Sequence, residues 1–306
     1  MKKISKKIIS IFSISGVMVF YACNENEIIP VIKPDLDISI SATTSDGVTL
    51  INGGEVNLSD TFSIIVSISA ELGFNTLNVS GNVTSTVNRN DLNLASGTKD
   101  VDITFNISSG SLGEGNIDFE AVDEEGNTAT TSFSFVVVSP KAKIQTAVIL
   151  YAPLGDLSSE TFYSILNNET YSRNEVESTA DPISASIDFG YYYGASDNAS
   201  LASPAEYPIY NLTDAGWVTR NATILHTTAI TSAEYLEMIT VSDLEVAISD
   251  IDLSNANGTV TNLSEGDILI FKTVEDIQGL INVSAISGTD GSDGMIEIEI
   301  KLALSE

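Results

Sequence analysis

The 306-residue chain contains very little cysteine, histidine or positive charge. It has one Cys and one His, and its 13 Lys and Arg face 42 Asp and Glu, for a formal net charge of −29. A single Cys excludes a disulfide within the chain and any multi-cysteine zinc site, and a single His excludes a histidine-rich metal centre. The negative field repels phosphate backbones, which argues against nucleic-acid binding and against adsorption to anionic membranes. Because 43% of the residues are hydrophobic, the chain can still bury a core.

Few residues are suited to catalysis. A Ser-His-Asp or Cys-His system needs a histidine base, and His226 lies in a strand-like run without a neighbouring acid. No Gly-x-Ser-x-Gly elbow is present, and the glycine-rich run at 288–294 lies between two predicted strands rather than before a helix. Two-carboxylate glycoside hydrolysis stays open, but 42 acidic residues single out no pair. We therefore predict a protein without enzymatic activity.

Residues 1–23 have the three-part plan of a secretory signal peptide. A lysine-rich start precedes an apolar stretch over residues 8–21, and the small residue Ala22 follows. The apolar stretch is shorter than the roughly 20 residues that a spanning helix needs. The sequence therefore predicts a processed segment rather than a permanent transmembrane anchor.

The chain's only cysteine, Cys23, directly follows Ala22 and precedes an acidic stretch. This pattern resembles the lipobox of bacterial lipoproteins, although Phe20 and Tyr21 depart from its strict form, and the acidic stretch resembles the surface-export signal of Bacteroidota lipoproteins. The resemblance implies a diacylglycerol- and fatty-acylated (palmitate-type) Cys23. It also implies lipid attachment to the outer membrane, facing the cell exterior, with residues 24–34 as a tether. The alternative is an ordinary signal peptide with an incidental cysteine.

Residues 35–140 alternate apolar and polar residues with period two, in runs separated by Gly- and Asn-containing turns. Seven or eight such runs predict an all-β sandwich of immunoglobulin-like size. The hairpin over residues 119–138 resembles the closing hairpin of bacterial Ig-like and PKD-type domains, which implies a spacer. Three acids at its turn, Asp123, Glu124 and Glu125, are either calcium ligands or a solvated tip.

Residues 141–306 predict an α+β domain with a mostly antiparallel sheet and short helices. Strands are predicted at 147–152, 186–193, 267–273, 279–287 and 295–303, with a hairpin over 162–172. The first of these strands is apolar on both faces, which is typical of a central, covered strand. Helix starts are predicted from three Ser/Thr-x-x-Glu capping boxes: Ser172 with Glu175, Thr231 with Glu234, and Ser242 with Glu245.

The candidate binding site lies in the aperiodic segment 194–217 and its flanks. Aromatic rings that pack on sugar faces, with nearby hydrogen-bonding groups, would form a glycan platform. The candidate residues are Trp217, Tyr192, Tyr207, Tyr210, Arg220 and Asn221. The alternative is that these rings are core residues. No cofactor is predicted, apart from the calcium alternative at Asp123 to Glu125 and at Asp290 and Asp293.

The run 187–194, together with Ala202-Ser203-Pro204 and Trp217, resembles a C-terminal domain of flavobacterial lipoproteins. In layout, a lipid anchor, an Ig-like spacer and a distal domain, the chain resembles surface glycan-binding lipoproteins beside outer-membrane sugar transporters. The resemblance implies a glycan or polysaccharide ligand and a transporter partner, and it assigns no binding residue. The alternative is a structural or adhesive surface protein that binds another protein.

Overall fold

The computed structural model describes residues 35–178, 183–254, 256–289 and 293–305. Cys23, the signal segment 1–23 and the tether 24–34 lie outside the described residues, so lipidation remains a prediction. Within the described residues, no helix has the length and apolar character needed to cross a membrane.

Strands alone make up the regular structure of residues 36–138, all of which are described. The period-two pattern produces them because alternate side chains point to opposite faces, as in the run from Phe62 to Ala70, where every second residue is buried. Two short strands bring the total to nine, one more than the upper prediction. The strands are β1 Leu36–Thr44, β2 Thr49–Leu50, β3 Gly54–Asn57, β4 Thr61–Ala70, β5 Phe74–Gly81, β6 Ser85–Asn88, β7 Asp100–Ser108, β8 Gly113–Asp123 and β9 Thr128–Val138.

These nine strands form two sheets with a shared core. One sheet has the order β2-β1-β4-β7, and the other has the order β3-β9-β8-β5-β6. Every pairing is antiparallel except that of β3 with β9. Phe62 of the first sheet meets Phe135 of the second edge-on, with ring centroids 5.0 Å apart. The mostly antiparallel β character is confirmed, whereas the immunoglobulin-like assignment and the boundary at residue 140 remain predictions.

The chain enters and leaves this first module at opposite ends. Leu36, at the start of β1, pairs with Ala70, whereas Thr44 at its end pairs with Phe62. The end of β9 lies near the Thr44 end of β1. The amide of Leu58, which shortly precedes β4, donates to the Val138 carbonyl there. The eight residue-to-residue steps of extended strand from Leu36 to Thr44 correspond to about 27 Å.

The second module contains ten strands and a few short helices among its described residues. The strands are β10 Ala142–Tyr151, β11 Glu160–Ser164, β12 Glu169–Ser172, β13 Phe189–Gly194, β14 Asn198–Ala202, β15 Ile224–Thr227, β16 Thr259–Val260, β17 Ile268–Lys272, β18 Gln278–Ser287 and β19 Met295–Ser305. The helices are α1 Arg173–Ser178, α2 Ser232–Glu237 and α3 Val241–Ser249, with a 3₁₀ turn at Ile183–Ser186.

The single sheet expected here is instead two five-stranded antiparallel sheets packed face to face. Their orders are β10-β19-β18-β17-β15 and β12-β11-β13-β14-β16. Alternate residues of one strand serve different layers, since Tyr191 enters the core between the sheets and Tyr192 enters a second cluster on the outer face. Helices α2 and α3 cover the outer face of the first sheet through Tyr235, Leu244 and Ile248. The result is two central sheets with a covering layer on each side.

Strand β10 is an edge strand, so its predicted central position is wrong. It pairs with β19 alone, and one extra residue between Gln145 and Val148 forms a β-bulge. Its apolar residues are buried unevenly: Val148 and Leu150 face the core, while Tyr151 is exposed. An apolar run indicates that other layers of the protein cover the strand. It does not indicate how many neighbouring strands pair with it.

Two of the three predicted capping boxes are present. The Ser172 amide and hydroxyl both donate to Glu175, and α2 begins with the reciprocal box of Thr231 and Glu234. The third box lies two residues earlier than predicted, because α3 begins with the box formed by Thr240 and Asp243. Asp at the third helical position caps as the predicted Glu would, and a template limited to Glu misses it.

Candidate functional site

The predicted aromatic site is a buried cluster on the outer face of the second sheet. Trp217 and Tyr207 each contact the ring of Phe162, at centroid distances of 4.8 and 5.0 Å, and Tyr192 meets Tyr207 edge-on at 6.0 Å. The exposed fractions are 2% for Tyr192 and 6% for Tyr207 and Trp217. None of these three rings presents an open face to a sugar in this structure.

Hydrogen bonds hold this cluster closed. The Tyr207 hydroxyl donates to the Tyr191 carbonyl at 2.7 Å, and burial raises the Tyr207 pKa well above its ordinary value. The Tyr210 hydroxyl donates to the Leu154 carbonyl at 3.0 Å. Gly190 permits the close packing, because a β-carbon there would lie 2.6 Å from the Phe162 ring.

The two polar candidates, Asn221 and Arg220, lie in different environments. The buried Asn221 amide donates to the carbonyls of Ala185 and Ile187 at 2.9 Å each, which ties the segment to the 3₁₀ turn. Arg220 is exposed. The structure therefore brings together Tyr192, Tyr207 and Trp217 as packing residues and places Arg220 outside their cluster. The physical reason is that the outer face of the sheet is apolar and the proline-containing segment covers it.

Three of the acids considered for calcium, Asp123, Glu124 and Asp293, are engaged in other contacts. Asp123 accepts from the Glu125 amide and from both the amide and side chain of Asn127, at 2.8 to 3.0 Å. Glu124 pairs with Arg89. Asp290 lies outside the described residues, and Asp293 lies 3.2 Å from the amide of Thr289. Within the described ranges, no group of three or more His, Cys, Asp or Glu is arranged to hold a metal ion.

A different site lies between the edge strands β10 and β12, where the edges of the two sheets face each other. An open groove of about 600 Å³ is formed there, within the size range of ligand sites. We call it the hairpin groove. It is lined by residues 146–149 of β10, by Glu160 and Tyr163 of β11, by residues 168–171 of the hairpin and by Glu175 of α1.

The β10 side of the hairpin groove is shaped by the bulge. Ala147 lies in the left-handed region with φ of 55°, where a residue with a β-carbon is uncommon. Strained backbone of this kind persists where the surrounding structure holds it, and it concentrates at ligand sites. The bulge exposes Thr146 and Ala147 to the groove.

The hairpin on the opposite side of the groove carries a tyrosine and carboxylates that hydrogen bonds orient. Tyr171 lies opposite Phe162 in the strand register, so its ring packs against the outer-face aromatic cluster. The half-buried Tyr171 donates its hydroxyl proton to Glu169 at 2.6 Å and accepts from the Asn167 amide at 3.3 Å. Glu160 accepts from the Thr170 hydroxyl at 2.7 Å. Burial and the hydrogen bond to Glu169 raise the Tyr171 pKa, so the phenol remains a neutral donor at physiological pH.

A buried polar network fixes the floor of the hairpin groove. The Tyr163 hydroxyl lies 2.6 Å from the Asn168 side-chain oxygen and 3.0 Å from that of Gln145, and Gln145 donates to the Ile165 carbonyl at 2.7 Å. Asp188 accepts from the Ile165 amide at 2.7 Å. These bonds join β10 to the β11–β12 hairpin, so both walls of the groove are held by the same buried groups.

The arrangement suits a ligand rich in hydroxyl groups. Glutamate oxygens accept hydrogen bonds from hydroxyls, and Tyr171 packs against the outer-face cluster while part of its surface stays exposed beside the groove. No lysine or arginine is among the lining residues. Sequence reasoning missed this site because its walls are far apart in the chain, and the left-handed Ala147 leaves no residue-type signal.

Comparisons with known proteins add little. A scan against protein-family models finds no match, and a search of curated proteins finds none either. Among solved structures, the chain is similar to the crystal structure, at 2.00 Å resolution, of a DUF4466 family protein from Parabacteroides merdae ATCC 43184. The two share 11% sequence identity, 87% of this chain and 98% of that chain are covered, and the TM-score is 0.39. At this TM-score the likeness carries neither fold nor function over to this chain.

Proposed function

We propose that the chain is a lipid-anchored, non-catalytic glycan-binding protein of the outer surface of a Bacteroidota-type bacterium. Its hairpin groove binds a polysaccharide, and its partner is an outer-membrane transporter complex. The observation that carries the proposal is the hairpin groove itself, a preformed cleft whose lining includes the half-buried Tyr171 and the hydrogen-bonded carboxylates Glu160 and Glu169. This is the combination of an apolar face and a few placed polar groups that small-molecule sites use.

In this proposal the first module is an Ig-like spacer. The strands run between Leu36, which follows the tether, and Val138, which precedes the second module, at opposite ends of the two packed sheets. The second module is thereby held about 27 Å further from the lipid-anchored end. A spacer with both connections at one end would gain no such distance.

Native gels cast with polysaccharide test the glycan proposal. The full chain should be retarded by at least one of four neutral polymers, namely a glucan, a mannan, a galactan and a xylan. Tyr171→Ala should weaken retention by about tenfold, which corresponds to roughly 1.4 kcal/mol, because it removes the half-exposed ring and the hydroxyl that orients Glu169. Glu169→Gln should also weaken it, since it removes the acceptor charge and preserves packing.

A matched control separates binding from folding. Tyr151→Ala removes an exposed tyrosine of β10 that is not among the groove-lining residues, and it should leave retention unchanged. Retardation of the wild-type chain by none of the four polymers would contradict the glycan proposal and favour a protein-binding role.

The lipid proposal has its own test. Cys23→Ala should move the protein from the membrane fraction to the soluble fraction, because acylation of this thiol is the proposed anchor. Mass spectrometry of the native product should find an acylated Cys23 as the first residue. An unmodified, intact amino terminus would refute the proposed anchor.

A further inference from the structure

A second concave surface lies on the outer face of the five-stranded sheet of the first module. It encloses about 590 Å³, similar to the hairpin groove. We call it the sheet dish. Its outward-facing residues, contributed by β5, β8 and β9, are Asn78, Ser80, Asp118, Glu120, Thr130 and Ser132.

The residues at the centre of the sheet dish are held in place before any ligand arrives. The Asn78 amide donates to Glu120 at 3.1 Å, and the Thr86 hydroxyl approaches Asn78 at 3.4 Å. Strand register places Glu120 opposite Thr130, so one polar row crosses four strands. Asn78 and Glu120 are half-buried, whereas Ser80, Asp118 and Ser132 around them are exposed, which is the exposure pattern of a concave surface.

The outer face of the other sheet also has a hollow, of about 510 Å³, and a hydrogen bond from the Ser69 hydroxyl to Asp100, but its side chains differ. Serines occupy most of its outward positions on β1 and β4, and the exposed Ile65 interrupts them. Its carboxylates, such as that of Asp102, are exposed rather than half-buried. What distinguishes the sheet dish is therefore the half-buried pair of Asn78 and Glu120 at its centre, joined by a hydrogen bond.

We propose that the sheet dish is a second glycan-binding surface, so that the spacer module itself contacts the polysaccharide. The inference rests on the proposed function for the class of ligand. Amide, hydroxyl and carboxylate groups donate to and accept from sugar hydroxyls, and no basic residue lines the dish to attract an anionic polymer. With no aromatic side chain facing the ligand, each contact is a hydrogen bond exchanged with water, so the dish alone binds weakly. Its main effect is on long polymers, where a second contact on the same chain raises retention by about tenfold or more.

Full-length variants in the same four neutral-polymer gels test this inference. Tyr171→Ala should keep part of the wild-type retention, and adding Asn78→Ala with Glu120→Gln should remove the remainder. Ser132→Arg, which places a long side chain in the dish from an exposed position, should also remove the remaining retention when it is added to Tyr171→Ala. The matched control, Ser67→Ala with Asp102→Asn on the other sheet, should have no effect, and thermal melts should confirm that every variant is folded.

The outcomes separate the two proposals. Loss of all retention with Tyr171→Ala alone, or no further loss from the Asn78 and Glu120 changes, overturns the sheet dish and leaves the hairpin groove standing. Loss in the dish variants with no effect of Tyr171→Ala supports the dish and overturns the groove. No retention of the wild-type chain by any of the four polymers overturns both.

Discussion

Asp188 provides the sharpest test of the buried network under the hairpin groove. Its carboxylate is 4% exposed and accepts from the Ile165 amide. Burial, and to a lesser degree the charge of Glu275, raises the pKa of Asp188 to about 7, although the hydrogen bond from Ile165 opposes the rise. The ordinary value is 3.8. A rise of this size corresponds to roughly 4 kcal/mol against the ionised form in the folded protein.

The sign of the pH dependence follows from where the proton is held. Between about pH 4 and pH 7, the folded chain keeps the Asp188 proton while the unfolded chain has released it. The contribution of Asp188 to the free energy of unfolding therefore falls as the pH rises through this window and stays low above about pH 7. Asp188→Asn keeps the size and the acceptor oxygen but removes the titration. Relative to wild type, the variant should gain roughly 2–3 kcal/mol between pH 5 and pH 8.

Guanidinium unfolding at pH 5, 6, 7 and 8, followed by the fluorescence of the buried Trp217, measures this difference. Asp102→Asn, an exposed carboxylate lost from β7, controls for the general change in net charge. A difference between Asp188→Asn and wild type that does not vary with pH would refute the reasoning, because it would mean that Asp188 is ionised across the whole range.

Two further substitutions test the packing layers. Lys301→Met should lower the free energy of unfolding by about 2–4 kcal/mol, as measured by guanidinium unfolding. The reason is that the buried Lys301 ammonium donates to the carbonyls of Tyr235 and Met238 at 2.7 and 2.8 Å, and the substitution leaves both carbonyls without this donor. Trp217→Ala should lower the free energy of unfolding by about 3–5 kcal/mol, measured by thermal or chemical unfolding. The control Val218→Ala changes a neighbouring side chain that is 82% exposed, and its free energy of unfolding should stay within about 0.5 kcal/mol of wild type. A Trp217→Ala variant of unchanged stability with weakened glycan retention would instead restore the aromatic platform that the sequence predicted.

Local patterns predicted most of the strands. In β19, Ile296, Ile298 and Ile300 are fully buried and alternate with glutamates, as the sequence indicated. Strand β14 was missed, because its residues are buried on consecutive positions and no alternation marks them. The aperiodic segment consequently begins later, after Ala202.

Residue type did not predict the burial of the aromatic residues. Tyr207 and Trp217 have the composition of a sugar platform, but they cover an apolar sheet face. Tyr171, in a hairpin that the sequence did predict, packs at the edge of the same cluster and remains half-exposed, as does Tyr210. Which of these rings meets solvent depends on the layer above each one, and that layer is formed by distant parts of the chain.

The amino-acid sequence alone determined the negative charge, the alternating strands and two of the helix starts, because each depends on composition or on residues within a few positions of one another. Tertiary structure alone decided that the second module has two sheets, that β10 is an edge strand with a left-handed bulge at Ala147, and that a groove opens between β10 and β12. These features arise from the pairing and packing of segments separated in the chain, where the same residues can be buried or exposed depending on what covers them.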